Sequence, residues 1–184
     1  MSDKSTSICP VEKADSLDSK IRRWLQKPEK ILGPYIKEGM TVLDFGCGPG
    51  FFSVDIAHMV GQSGRVIAAD LQEGMLHKLR DKIKGTDIEN RITLHKCEEN
   101  KIGISDNIDF VVAFYIVHEV INKEDLFIEL ENILKPNGQL LIVEPPFHVS
   151  KKAFEDTIKK TREAGFKEVE RPKMLFNKAV LLKK

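Results

Sequence analysis

The chain has 184 residues, 41% of them hydrophobic and 31% charged, the size and composition of one globular domain able to bury its own core. Lysine and arginine number 29 against 28 acidic residues, a net charge of +1, so nucleic acid is not an expected partner, since such binders need basic excess to neutralise phosphates. No apolar run approaches the ~20 residues that span a bilayer, and the polar start MSDKSTSICPVEKADS lacks the apolar centre of a secretory signal; a cytoplasmic protein without membrane association is expected.

The first 15 residues read as a polar tail. From there Leu17, Ile21, Trp24 and Leu25 fall at helical spacing, and Pro28 closes the segment. A second short helix is expected over residues 29–36, interrupted by Gly33-Pro34. Strand and helix then alternate. Residues 40–45 (MTVLDF) read as a buried strand, 46–50 as a tight turn, and 51–60 as a helix closed by Gly61 and Gly64. Arg65–Asp70 is a second strand, followed by a helix carrying Met75, Leu76, Leu79 and Ile83. Residues 91–95 form a third strand, and Ile108–Phe114, the most apolar, a fourth. The next helix carries Leu126, Phe127, Leu130, Ile133 and Leu134 and stops at the turn Lys135-Pro136-Asn137-Gly138; residues 139–144 (QLLIVE) are a fifth strand.

Strands buried on both faces and joined by helix-length connections predict a parallel sheet with helices on both sides. After a helix at residues 151–164, the segments 167–173 and 178–182 are separated by a turn too short for a helical crossover, so this pair is expected to be an antiparallel hairpin. The predicted fold is therefore α/β, a doubly wound, Rossmann-like domain on a seven-stranded mixed sheet, with no second domain.

The strongest local signal is Val42-Leu43-Asp44-Phe45-Gly46-Cys47-Gly48-Pro49-Gly50, where a strand ends and a helix begins. Glycines there allow a tight turn and the close approach of a ligand, at the carboxyl end of a strand, where open parallel sheets bind ligands. The rival is the nicotinamide-type GxGxxG fingerprint. The spacing Gly-Cys-Gly-Pro-Gly differs from it, and Asp44 at the strand tip would repel a pyrophosphate but suits an ammonium group.

These residues resemble the class I S-adenosylmethionine-dependent methyltransferases, over roughly residues 28–184. The family's D/E-x-G-x-G-x-G loop is matched by Asp44, Gly46, Gly48 and Gly50, with Cys47 inside it. The resemblance implies that this loop holds the amino-acid end of S-adenosylmethionine and that Asp70, ending the second strand, grips the ribose hydroxyls, its two oxygens suited to accept from both. Leu71 and Met75 would flank the adenine. Where the family often has Asp-Ala at the adenine edge, this chain has Cys97-Glu98, a departure that leaves Glu98 or backbone groups to substitute. Asp109 and the Leu134–Gly138 segment also fit the family's pattern, and the C-terminal hairpin separates the fold from a nicotinamide-binding domain. The N-terminal segment, residues 1–36, would supply a tail and lid helices, with Arg22, Arg23 and Trp24 on the lid, or with Trp24 anchoring that helix to the core; residues 37–184 would form the cofactor-binding domain.

Phe114-Tyr115-Ile116-Val117-His118-Glu119-Val120 would line the cleft in this fold, with Phe114 at the cofactor. Methyl transfer needs alignment and, when the acceptor carries a proton, a base. Tyr115 and His118 are the candidates for acceptor contact or proton removal, His118 having a suitable ordinary pKa; the alternative is that His118 and Glu119 cap or brace the following helix. Glu144, before Pro145-Pro146, is a third candidate. Within the family the chain looks nearest to the small-molecule branch containing quinone-biosynthesis and arsenite methyltransferases. Arsenite chemistry needs converging cysteines, whereas Cys47 and Cys97 sit at the cofactor and Cys9 stands apart; the three are widely spaced and offer no zinc pair. A small-molecule acceptor and no metal are expected. The rivals are a nicotinamide-dependent oxidoreductase and a non-catalytic subunit that binds the cofactor without turnover.

Overall fold

In the computed structural model, residues 26–174 and 177–184 are described; Cys9, Arg22, Arg23, Trp24 and the helix read from Leu17 lie outside them. A short helix α1 (Pro28–Leu32) stops at Gly33-Pro34; it begins one residue before the span expected for it, with Pro28 opening this helix rather than closing the segment before it. Then follow β1 (Thr41–Phe45), α2 (Ser53–Met59), β2 (Arg65–Asp70), α3 (Glu73–Ile83), β3 (Ile92–Lys96) and β4 (Ile108–Phe114). The chain ends with α4 (Lys123–Ile133), β5 (Leu134–Glu144), α5 (Lys151–Glu163), β6 (Lys167–Glu170) and β7 (Lys178–Lys183).

The seven strands form one sheet in the order β3-β2-β1-β4-β5-β7-β6. The first five are parallel, while β7 runs antiparallel between β5 and β6. Successive residues of each central strand feed opposite cores, as the pleat requires. Val42, Val66, Phe110 and Leu141 pack with α1, α2 and α3 on one face. Leu43, Ile67, Val111 and Leu140 pack with Leu126, Phe127 and Leu130 of α4 and Phe154 and Ile158 of α5 on the other.

Two boundaries differ from the sequence reading for a physical reason. The segment read as a turn before the fifth strand is part of β5: Leu134 already pairs with Ile108, and the register then shifts before Phe110 meets Gln139. Asn137 adopts a positive φ of 68°, so the turn-forming residues make a bulge within the strand rather than a break before it. At the other edge β6 stops at Glu170, ahead of Pro172, which has no N–H to give a ladder. Asp109 lies near the amino end of β4, where its Oδ2 accepts from the Thr41 N–H and from the Lys135 ammonium, each at 2.8 Å; its role is to lock strands at the end of the sheet away from the glycine loop.

The strand order reverses between β1 and β4. Connections leave in opposite directions there, which opens a crevice at the carboxyl ends of the two strands.

Candidate active site

The glycine loop fills one wall of that crevice. The N–H groups of Gly46 and Cys47 donate to the Ala69 carbonyl at 2.8 and 3.0 Å, tying the loop to β2. The Lys82 ammonium, from α3, donates to the Pro49 carbonyl. Gly50 (φ +80°) has no room for a side chain, since a Cβ would stand 2.3 Å from Leu79 Cδ1. Gly48 (φ +53°) is different: a Cβ there would meet nothing within 4 Å. Its bare backbone therefore faces open space in the crevice.

That space is a cavity of about 800 Å³ whose walls include Asp44, Gly46, Cys47, Gly48, Asp70, Leu71, Met75, Cys97, Glu98, Phe114, Tyr115 and His118. Residues separated by more than seventy positions in sequence are thus brought together. Gly50 is not part of the wall; it lets the loop turn against α3.

Two buried carboxylates set the electrostatics. Asp44 accepts from the Ser53 hydroxyl at 2.5 Å. Asp70 accepts from Gly48 N–H through Oδ2 and from Gln72 N–H through Oδ1, each at 2.8 Å. Each oxygen retains a second lone pair, so the carboxylate is positioned by backbone and still able to accept from a diol. Burial pushes the Asp70 carboxyl above its usual range, opposed by the N–H groups of Gln72, Gly48 and Leu71. Both cavity thiols are held protonated. Burial raises Cys47, and the charges of Asp44 and Asp70 raise it further; Cys97 is pushed up to about 12, mainly by burial. The carboxylates that add to burial in suppressing these thiolates favour a cationic ligand and oppose a pyrophosphate.

Across the cavity, the chain leaves β4 through Tyr115, whose φ of 62° is unusual for a non-glycine residue. A 3-10 turn (Val117–Glu119) follows. His118 donates its backbone N–H to Glu144 Oε1 at 3.0 Å, and its Nδ1 lies 2.6 Å from Glu144 Oε2. Glu144, only 2% exposed at the tip of β5, thereby holds both the backbone and the ring of His118. The hydrogen bond that the imidazole donates to Glu144 raises its pKa above 6.5, partly offset by burial. The helix after it is capped by Asn122, whose side chain accepts from Asp125 N–H, so His118 is not the capping residue. The Tyr115 hydroxyl accepts from Gln26 Nε2 at 2.8 Å and donates to Asn177 Oδ1 at 2.6 Å.

Comparison with known proteins fits this geometry. A family model described as a methyltransferase domain matches residues 36–179. The crystal structure of a SAM-dependent methyltransferase from Aquifex aeolicus superposes with a TM-score of 0.86 at 30% identity, covering 96% of this chain and 99% of that one. The chain belongs to the S-adenosylmethionine-dependent methyltransferases.

This methyltransferase is also similar to curated proteins named ubiquinone/menaquinone biosynthesis C-methyltransferase UbiE. The protein from Pseudomonas fluorescens is 31% identical over 110 residues, 59% of this chain and 43% of that protein. The one from a Shewanella species is 27% identical over 138 residues, 73% of this chain and 54% of that protein. The chain thus spans about half the length of the curated relatives it matches. Family membership sets aside the nicotinamide reading, and the acidic cavity supplies its physical reason.

The residues that hold the methyltransferase cavity in shape were not all legible beforehand. Ser53 and Lys82 carry no motif, and their contacts to Asp44 and Pro49 depend on how α2 and α3 pack. Gln26 and Asn177 meet on Tyr115 from opposite ends of the chain. Among the described residues no group of three or more His, Cys, Asp or Glu could hold a metal ion, and no helix is long and apolar enough to cross a membrane.

Proposed function

We propose that this methyltransferase acts on a small acceptor carrying an ionisable proton, with His118 as the base that removes it. The single observation supporting this is the Glu144-held His118 on the wall of the same cavity that Asp70 and the glycine loop line. S-adenosylmethionine supplies a methyl group on a positively charged sulfur, already a good leaving group, so alignment carries much of the catalysis.

On the cofactor side, Asp70 accepts from the ribose hydroxyls, and Asp44 with the loop Gly46, Cys47 and Gly48 receives the cationic amino-acid end. Gly50 supports that loop from behind. Leu71, Met75 and Phe114 give apolar contact, and Cys97 with Glu98 borders the adenine edge. On the acceptor side, an Nδ1–H donated to Glu144 fixes the neutral tautomer and leaves Nε2 to take a proton. Tyr115 offers its ring, since its hydroxyl is engaged by Gln26 and Asn177. That bond from Gln26 also supports the described end of the N-terminal segment packing against a catalytic domain of residues 37–184.

The curated relatives are named for C-methylation in quinone biosynthesis, and an acidic hydroxyl on an aromatic ring is the proton His118 is suited to remove. We therefore take a small phenolic acceptor in the cytoplasm as the class to test. Thiophilic acceptors are disfavoured, because Cys47 and Cys97 are held protonated at the cofactor end.

Isothermal titration with S-adenosylhomocysteine, with NAD as control, tests the cofactor half; binding of the first and none of the second is expected. Asp70→Ala should weaken that binding about a hundredfold, the loss of charge-assisted hydrogen bonds to two hydroxyls. Unchanged affinity would show that the ribose site is elsewhere.

A further inference from the structure

One wall of the cavity is the loop between β3 and β4, from Cys97 to Ile102. Its tip is a tight hairpin: Glu98 N–H donates to the Lys101 carbonyl at 3.0 Å, and Lys101 N–H returns to the Glu98 carbonyl at 3.4 Å. Its base is held by side chains from other elements. Glu129, in the second turn of α4, accepts from Ile102 N–H through Oε2 at 2.9 Å and from Gly103 N–H through Oε1 at 2.7 Å. His95 Nε2, at the end of β3, donates to the Ile102 carbonyl at 2.6 Å. The peptide joining Ile102 to Gly103 therefore has its C=O bound from the sheet and its N–H bound from the helix. Two successive N–H groups converging on an anion form a nest. Here the protein's own carboxylate fills it, and bonds of this charge-assisted kind are the stronger ones.

This clamp matters because of what the loop borders. A purine presents a polar edge with a donor and an acceptor, whereas the Cys97 thiol is a weak partner for either. With the backbone N–H of Cys97 already donating to the Asp70 carbonyl at 3.0 Å, discrimination at this edge falls to Glu98 and the loop backbone, and so to where the loop is placed.

We infer that Glu129 is a positioning residue for the adenine end of the cofactor site: by clamping Ile102 and Gly103 it sets the wall that distinguishes a 6-amino purine from a 6-oxo purine. The inference rests on the cofactor placement proposed above. Glu129 also lines the cavity on the same helix as Leu126 and about two turns beyond its cap Asn122, both of which line the cavity too. The clamp thus ties the adenine wall to the helix bordering the rest of the cavity.

The test is isothermal titration of wild type, Glu129→Gln and Glu129→Asp with S-adenosylhomocysteine and with its 6-oxo counterpart, S-inosylhomocysteine, with circular dichroism to verify folding. Wild type should prefer the adenine compound. Glu129→Gln replaces one acceptor by an NH2 that opposes a backbone N–H. It should weaken the adenine compound about tenfold while changing the 6-oxo compound far less, so that the preference collapses. Glu129→Asp keeps the charge on a shorter stem and should retain part of the preference. Equal weakening of both ligands, an unchanged preference, or no preference in wild type would overturn the role of Glu129. Failure of wild type to bind S-adenosylhomocysteine at all would instead overturn the cofactor placement, and this inference with it.

Discussion

His118 and Glu144 make the clearest statement about pH at the scale of single residues. The hydrogen bond donated to Glu144 is the largest influence raising the imidazole above 6.5; the charges of Glu144 and Glu119 add to it, and burial and Lys123 oppose it. A base with a raised pKa stays protonated to higher pH, so the methyl-transfer rate should climb with pH through an inflection above 6.5. Glu144→Gln should move that inflection down, which a pH–rate profile of both proteins would reveal. The same shift has a stability counterpart of defined sign. The imidazolium–carboxylate contribution is fully present below the ordinary histidine value and is lost as pH rises through the raised native value. Denaturant melts of wild type and His118→Gln should therefore differ most at low pH and converge at high pH. Two glycines separate shape from binding. Gly50→Ala would drive a methyl into Leu79 at a strained φ and should cost about 3 kcal/mol in stability. Gly48→Ala should cost only about 1 kcal/mol for its left-handed backbone, because its methyl enters open space. Its thermal midpoint should change little, while affinity for S-adenosylhomocysteine, read by titration, falls at least as much as for any loop variant that leaves the cavity clear.

At the scale of elements, the helices cover the cores and the strand tips border the cavity. Helix α5 illustrates the division. Its N-cap Ser150 accepts from Ala153 N–H at 3.1 Å, and Phe154 and Ile158 bury against the sheet on the α4 side. Ser150→Ala should lower stability by about 1 kcal/mol in a denaturant melt and leave cofactor binding unchanged, because nothing in α5 lines the cavity. Periodicity made the helices readable: Met75, Leu76, Leu79 and Ile83 of α3 are all buried, as their spacing requires. It could not locate the start of β5, because Lys135-Pro136-Asn137-Gly138 carries the same composition whether it closes a turn or bulges within a strand. Pairing of Leu134 with Ile108 decides between them.

Over the whole molecule, the reversal of strand order between β1 and β4 places the glycine loop, Asp70 and the β4–α4 segment around one crevice, with Glu144 buried behind His118. A ligand bound there bridges elements from both halves of the sheet and should stabilise the domain as a unit. At a hundredfold excess over its dissociation constant, S-adenosylhomocysteine should add about 2.7 kcal/mol, raising the thermal midpoint by about 5–10 °C for a domain of this size. Asp70→Ala should show almost no shift at the same ligand concentration in a scanning-fluorimetry experiment.

The sequence by itself determined the alternation of strand and helix, the C-terminal hairpin, the glycine loop with Asp44 and the place of Asp70 at a strand tip. Each of these is local: a period of hydrophobic residues, a connection too short for a crossover, or a turn that only glycine can make. Tertiary structure alone decided that Glu144 faces His118, 26 residues away, and that Glu129 reaches Ile102 across 27. Those contacts depend on β4 and β5 being neighbours and on α4 lying over the β3–β4 loop. No short-range pattern encodes which strand lies beside which, because adjacency in a parallel sheet is set by how helices on the two faces pack to close the core.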